Sequence, residues 1–261
     1  MLLKNKIAVI YGAAGAIGGA VARTFAREGA RVFLTGHRLS LLEPIVSEIV
    51  STGGSAESAG VDALDEHAID DHLQSVMNRA GRIDISFNAI GISDTDILGV
   101  PLLELNQQSF LLPIESYVKS YFLTARLAAR RMVANKAGVI MTVTAPPART
   151  GAPLLGGYAP AQAAKEALTR CLSAELAPMG IRVVSLRPQA IPETDTIKDV
   201  FKLKGAGMSW EQWQTMMATR THTRRLTTLD EVANVAAFTA SDRASGMTGT
   251  IVNLTMGTLD D

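Results

Sequence analysis

Lys6-Ile-Ala-Val-Ile-Tyr11-Gly12-Ala-Ala-Gly15-Ala16-Ile17-Gly18 is the stretch whose reading decides the fold. Its first half is an apolar run with β-branched residues, the pattern of a strand buried on both faces. Its second half is glycine-rich and leads into a helix that continues to about Glu28 and ends at Gly29, a natural C-cap. A strand that turns through small residues into a helix lets backbone amides approach a pyrophosphate at the helix N-terminus. The plain alternative is a small-residue turn for tight helix–sheet packing. Lys4 and Lys6 ahead of the uncharged run Ile7 to Ala22 also outline a faint signal peptide. Gly12, Gly15, Gly18 and Gly19 make a poor continuous apolar helix, and the run is too short to span a bilayer.

Outward from this stretch the chain alternates strands and helices. Strands are expected at Arg31 to Thr35, Ala56 to Val61, Ile83 to Asn88, Val139 to Thr144, Arg182 to Leu186 and Thr250 to Leu254. Helices are expected at Leu39 to Thr52, Glu66 to Ala80, Ser116 to Asn135, Tyr158 to Met179 and Asp230 to Ser241. This order specifies an α/β fold: a single-domain, doubly wound, Rossmann-type parallel sheet of seven strands with helices on both faces. No linker, low-complexity tract or repeat divides residues 1–261. Gly91 to Pro113 and Pro188 to Thr228 are long for loops, and such excursions beyond strand ends are usually lids or substrate walls. The second contains a lid-like insertion at about 189–228. Within it, Ser209-Trp-Glu-Gln212 is a capping-box pattern, after which Trp210, Trp213 and Met217 share a helical face. That face reads either as packing onto the core or, with Leu154 and Leu155, as the wall of an apolar substrate pocket.

Composition narrows the function classes. Lys+Arg 25 balance Asp+Glu 25 with no basic block, which leaves no electrostatic case for nucleic acid or an anionic membrane. The single cysteine, Cys171, precludes an internal disulfide and suits a reducing compartment. Leu168, Leu172 and Leu176 around it suggest a buried apolar position. No other stretch looks transmembrane, so the chain reads as a soluble, cytoplasmic protein, and a small-molecule substrate with no metal is expected.

At the end of the second strand, Thr35-Gly36-His37-Arg38 lacks the acid that would hold the ribose hydroxyls of NAD. Arg38, with His37, instead suits a 2′-phosphate, which a guanidinium recognises well. NADP(H) is therefore expected over NAD(H). Asp62, followed by Ala63, is placed to meet the adenine, and Asn88 to fix the strand end beside the nicotinamide half. Both also read as turn residues.

By this point the chain resembles the short-chain dehydrogenase/reductase family over essentially its full length. The resemblance rests on Tyr11-Gly12-Ala-Ala-Gly-Ala16-Ile17-Gly18, Asn88-Ala89-Ile90-Gly91, Ala174-Glu-Leu-Ala-Pro-Met-Gly-Ile-Arg-Val183, Pro188-Gln189 followed by Ile191 and Thr194, and Thr248-Gly-Thr-Ile-Val-Asn-Leu254. It implies a nicotinamide cofactor, with Pro188, Ile191 and Thr194 near the carboxamide, and a homodimer or homotetramer. Ala163, Ala167 and Cys171 offer a small face for that pairing, though packing into the monomer core explains the same residues, so the oligomer rests on the resemblance. The family's chemistry uses Asn, Ser, Tyr and Lys. The tyrosine exchanges a proton with the substrate oxygen, the serine polarises that oxygen, the lysine lowers the tyrosine pKa and binds ribose, and the asparagine holds a water.

Carried over by position, only Tyr158 survives. The lysine position is Gln162, the serine position Ala145 and the asparagine position Tyr117. Ala16 and Ala89 replace small or amide residues of the cofactor motifs. Thr144, adjacent to Ala145, points the other way on a strand. Gln162 can hydrogen-bond a ribose hydroxyl but brings no charge. An unperturbed tyrosine titrates at about 10, so Tyr158 suits proton donation better than proton removal. Lys165 lies seven residues on, roughly 10 Å along the helix axis, and reads as surface or interface charge. Three functions stay open: an NADP-dependent carbonyl reductase with Tyr158 as proton donor, an NADP-binding pseudoenzyme serving as sensor or partner subunit, and a non-redox lyase or isomerase in the same pocket.

Overall fold

The computed structural model describes residues 1–93 and 97–260. At its centre lies β1 (Ile7–Tyr11), with every side chain buried. Around it stand β2 (Arg31–Gly36), β3 (Ser55–Gly60), β4 (Ile85–Asn88), β5 (Gly138–Val143), β6 (Ile181–Pro188) and β7 (Thr250–Leu254). All pair in parallel, in the order β3-β2-β1-β4-β5-β6-β7. The register sets Tyr11 beside Thr35 and Asn88, and Asn88 beside Thr142, so these strands finish on one rim. The chain reverses its order of strand addition between β1 and β4, which makes that rim a topological switch point.

Strand alternation sends side chains to two cores. Ala8, Ile10, Val32, Leu34, Ile85 and Phe87 face α1 (Ala16–Arg27), α2 (Glu43–Ser51) and α9 (Leu229–Ala240). Ile7, Val9, Tyr11, Phe33, Ile140 and Val183 face α3 (Glu66–Ala80), α5 (Lys119–Met132) and α6 (Tyr158–Leu176). Each large side chain so buried stabilises by about 1.5–3 kcal/mol relative to exposure. The edge strands depart from the expected two-sided burial. β3 is small and polar with exposed ends, and β7 is only half-buried, because each has one neighbour strand.

Three helical regions differ from the pattern read in the sequence. Leu39 to Thr52 divides into a 3₁₀ turn at Leu39–Leu41 and α2. The long helix begins earlier, as α4 (Gln107–Pro113), and passes through a π turn (Ile114–Val118) into α5. Asn106 caps α4 by accepting from Ser109 N at 2.8 Å. The excursion after β6 holds two helices, α7 (Asp195–Lys204) and α8 (Trp210–Thr219). α8 starts at the expected capping box, with Gln212 N donating to Ser209 Oγ at 3.2 Å and Ser209 N to Gln212 Oε1 at 2.9 Å. α7 starts at Thr194, whose hydroxyl accepts from Ile197 N. Residues 94–96 of the other excursion lie outside the described residues. Cys171 is exposed, contrary to expectation. Of its neighbours only Leu172 is buried, while Leu168 and Leu176 are half-buried. Among the described residues no helix is long and apolar enough to cross a membrane.

Candidate active site and cofactor cleft

The glycine loop after β1 is packed backbone against backbone. A side-chain carbon on Gly12, at φ +72°, would stand 2.6 Å from the Ala89 carbonyl oxygen. One on Gly18 would stand 2.4 Å from the Gly12 carbonyl oxygen. The absence of side chains therefore lets the loop, α1 and the end of β4 meet. Gly15 is the N-cap of α1 and makes no side-chain capping bond. Ala14, Gly15 and Ala16 are exposed, Ile17 half-buried, so the positive end of the helix dipole faces outward. A cleft of about 400 Å³ runs from this end along α1 past Gly19 and Arg23 to Asp230.

Beyond β2, His37 and Arg38 are both exposed. His37 Nε2 lies 3.7 Å from Asp62 Oδ1. Asp62 also accepts from Leu64 N at 2.8 Å, and Ala63 is buried beneath. The predicted adenosine-end residues thus meet across the ends of β2 and β3. Asn88 ties three elements: its amide donates to Thr124 Oγ1 at 3.1 Å, its side-chain oxygen accepts from Ile90 N, and its carbonyl accepts from Thr142 Oγ1. Ala89 continues the rim through a bond to the Tyr11 carbonyl.

Tyr158 opens α6. Its place is set by Gly157, where a side-chain carbon would collide with the Phe110 carbonyl of α4. The Tyr117 ring, from the π turn, meets the Tyr158 ring edge-on at 5.8 Å. Tyr117 Oη accepts from Ile92 N at 3.4 Å, at the end of β4. Gln162 is buried one turn into α6, and its Oε1 has no hydrogen-bond partner among the described residues. Ala145 caps the short turn Pro146–Ala148, while Thr144 turns away and donates to Glu166 Oε1 at 3.1 Å. Pro188 ends β6. Gln189 points back to Thr258, and Thr194 donates to the Ile191 carbonyl at 2.8 Å.

Below Tyr158 the structure corrects the reading of Lys165. It is not a surface charge: only 1% of it is exposed. Its Nζ donates to the Val143 carbonyl at 2.5 Å and sits 5.4 Å from the centre of the Tyr117 ring. Burial pushes this ammonium down to about 7. Next to it, Glu166 takes Arg187 in a two-pronged pair, Nε to Oε1 at 2.7 Å and Nη2 to Oε2 at 3.1 Å, with both side chains buried. These three charged residues were invisible as site residues in the sequence. The one available signal was spacing, since positions 158, 162, 165 and 166 lie close together on one side of a helix.

The apolar wall is partly assembled. Leu154 accepts from Gly99 N at 3.0 Å, and Lys204 Nζ of α7 donates to the Pro153 carbonyl at 3.2 Å. Leu154 and Leu155 are half-buried. Trp210 and Trp213 stack on each other at 5.4 Å, and both pack edge-on to Phe201 of α7. Trp213 is buried and Met217 half-buried, so the tryptophans chiefly bind α8 to α7.

The residues present fit a nicotinamide dinucleotide. The uncapped N-terminus of α1 and the cradle that a Cβ would fill suit a pyrophosphate. The unpaired Gln162 oxygen suits a ribose hydroxyl.

A family model described as Enoyl-(Acyl carrier protein) reductase matches residues 12–258. An uncharacterized oxidoreductase, YxbG of Bacillus subtilis strain 168, is 34% identical over 95% of this chain and 88% of its own length. The 7alpha-hydroxysteroid dehydrogenase of Escherichia coli K12 is 29% identical over 98% of this chain and 94% of its own. Among solved structures, a 7 alpha-hydroxysteroid dehydrogenase complexed with NADH and 7-oxo glycochenodeoxycholic acid superposes with a TM-score of 0.87 at 30% identity, covering 99% of this chain and 96% of that one. NAD+-bound xylitol dehydrogenase superposes with a TM-score of 0.90 over 98% of this chain and 100% of that one; at 24% identity it speaks to the fold alone.

Proposed function

This chain belongs to the short-chain dehydrogenase/reductase family, and from that premise we propose that it is an NADP(H)-dependent reductase of a small apolar carbonyl compound. Tyr158 is its proton donor. The observation that carries the reading is the buried, unpaired Gln162 oxygen one helical turn from Tyr158. Gln162 stands near the start of α6, and α1 separately presents an uncapped N-terminus.

When bound, the nicotinamide supplies the hydride. The chain's own residues do the rest. The α1 amides and dipole hold the pyrophosphate. Arg38, exposed and near His37, takes the 2′-phosphate. Gln162 accepts from a ribose hydroxyl and so orients that ring. Pro188, Ile191 and Thr194 flank the carboxamide. Tyr158 gives its phenolic proton to the carbonyl oxygen as negative charge develops there. Ala145 donates no hydrogen bond to that oxygen, and Gln162 brings no charge. Leu154, Leu155 and the α7–α8 hairpin limit water and favour an apolar substrate. The family's homo-oligomer is part of the same reading, and the exposed Ala167 and Cys171 on α6 suit such pairing.

A second reading, an NADP(H)-binding pseudoenzyme, is favoured by one observation: the Tyr117 ring lies against Tyr158 where the family has an asparagine. Titration of the purified protein with NADPH and NADH, followed by a screen of apolar ketones and aldehydes, separates the two. Tight NADPH binding, weaker NADH binding and consumption of NADPH with at least one ketone are expected. Binding without turnover leaves the pseudoenzyme, and binding of neither nucleotide overturns both readings.

A further inference from the structure

We propose that Lys165 is the positioning residue of this site: held by the Val143 carbonyl and seated over Tyr117, it couples a lysine to Tyr158 through the Tyr117 ring. The inference rests on Tyr158 being the proton donor.

The geometry is a chain of three contacts. The Lys165 Nζ bond to Val143 fixes the ammonium at the end of β5. That ammonium lies 5.4 Å from the Tyr117 ring centre, within the range of a cation on an aromatic quadrupole. The Tyr117 ring meets Tyr158 at 5.8 Å and 76°, the edge-to-face arrangement such rings prefer. A lysine four residues after the tyrosine would reach it directly. Here that position is a neutral amide, and a lysine one turn deeper works through an intervening ring. An ordinary core residue at 165 would be apolar, since burying an ammonium carries a desolvation cost. No carboxylate is paired with Lys165 among the described residues. Glu166 is taken by Arg187 and Thr144. Among the described residues, the other titratable groups facing this region are Tyr117 in the π turn, Tyr121 in α5, and Tyr158 on α6 itself. Tyr121 bonds Thr169 and is buried, which drives its phenol upward. No histidine lies on α5, α6, β5, β6 or the π turn, so a response near neutral pH belongs to the lysine.

The chain has four tyrosines, which makes the test direct. The protein labelled with 13C at tyrosine Cζ gives four resonances, assigned with Tyr117→Phe and Tyr158→Phe. In the wild type, Tyr117 and Tyr158 are expected to shift together with a common midpoint near 7, while Tyr11 and Tyr121 stay flat. In Lys165→Met both responses vanish with the thermal melt retained. In Tyr117→Leu, which keeps the lysine and removes the ring, Tyr158 no longer responds. A Tyr158 resonance that is flat in the wild type, or that still titrates in either variant, overturns the inference. These signals are read without substrate. Should they behave as expected while no carbonyl is reduced, the reductase reading alone falls. Where turnover is found, Lys165→Met should flatten the kcat–pH profile near 7 and leave KM within about twofold, because the lysine does not touch substrate.

Discussion

The two halves of the site are built on opposite principles. Around β1, β2 and β4 the cleft is made of backbone: Gly12, Gly15 and Gly18 bring chain against chain and leave the amides of α1 uncovered. Around β5, β6 and α6 it is made of side chains, with Gln162, Lys165, Glu166 and Arg187 all buried behind Tyr158. In the backbone half, a carbon added at Gly12 or Gly18 must displace main chain. The side-chain half is a buried cluster in which Glu166 pairs with Arg187 and Lys165 with the Val143 carbonyl, while the Gln162 oxygen has no partner among the described residues.

The sharpest break of this contrast is Tyr158→Phe. Turnover should fall by about 10²–10⁴-fold, the usual worth of general acid catalysis, with NADPH affinity retained in titration. Equal turnover in the variant would show that the side-chain half does not use Tyr158 as a proton donor. Next is Glu166→Ala, which removes the carboxylate that accepts from Arg187 Nε and Nη2 in the buried pair. Denaturant unfolding should register a loss of about 3–5 kcal/mol. A loss under 1 kcal/mol would mean that the side-chain half does not depend on its buried pair.

Lys165 gives that half a pH signature. Its folded value is depressed to about 7, whereas the unfolded chain keeps the ordinary lysine value. Between these values the unfolded state binds more protons, so stability attributable to this group rises with pH, by up to about 1.4 kcal/mol per unit. Lys165→Met should therefore be more stable than the wild type at pH 6, and the difference should narrow from pH 7 to pH 10. Melts in which the difference is constant would contradict it. In the backbone half, Gly18→Ala should cost about 1–3 kcal/mol and abolish NADPH binding, because the Gly12 carbonyl must move. The smallest effect is at the rim: Arg38→Ala should weaken NADPH about tenfold and leave NADH unchanged.

The backbone half was legible in the sequence because its determinants are local. A glycine that admits no side chain declares itself by identity and spacing, and strand periodicity supplies the rest. The side-chain half was legible only in part. Tyr158, Gln162, Ala145 and Tyr117 could be placed by position, but what surrounds them comes from three other elements. Lys165 was read as surface because spacing gives the side of a helix and not what that side meets; here it meets β5. Cys171 was misread for the mirror reason, since proximity to three leucines in sequence did not put it on their face. α7 was missed although Thr194-Asp195 is a workable helix start, because that stretch was taken as loop and Thr194 as a carboxamide contact.

The π turn at Ile114–Val118 has a consequence for how this site can change. It spends one residue more than an α-helical turn would. It thus acts as a phase shifter between two rigid rods: α4 keeps its own angle, α5 keeps its apolar face on the sheet, and Tyr117 is aimed independently of both. Deleting a single residue there would lock the rods into one continuous screw. Either α5 would roll off the core or Tyr117 would swing away from Tyr158. The aim of the second ring is thereby set by counting residues as well as by its contacts with Ile92 and Tyr158.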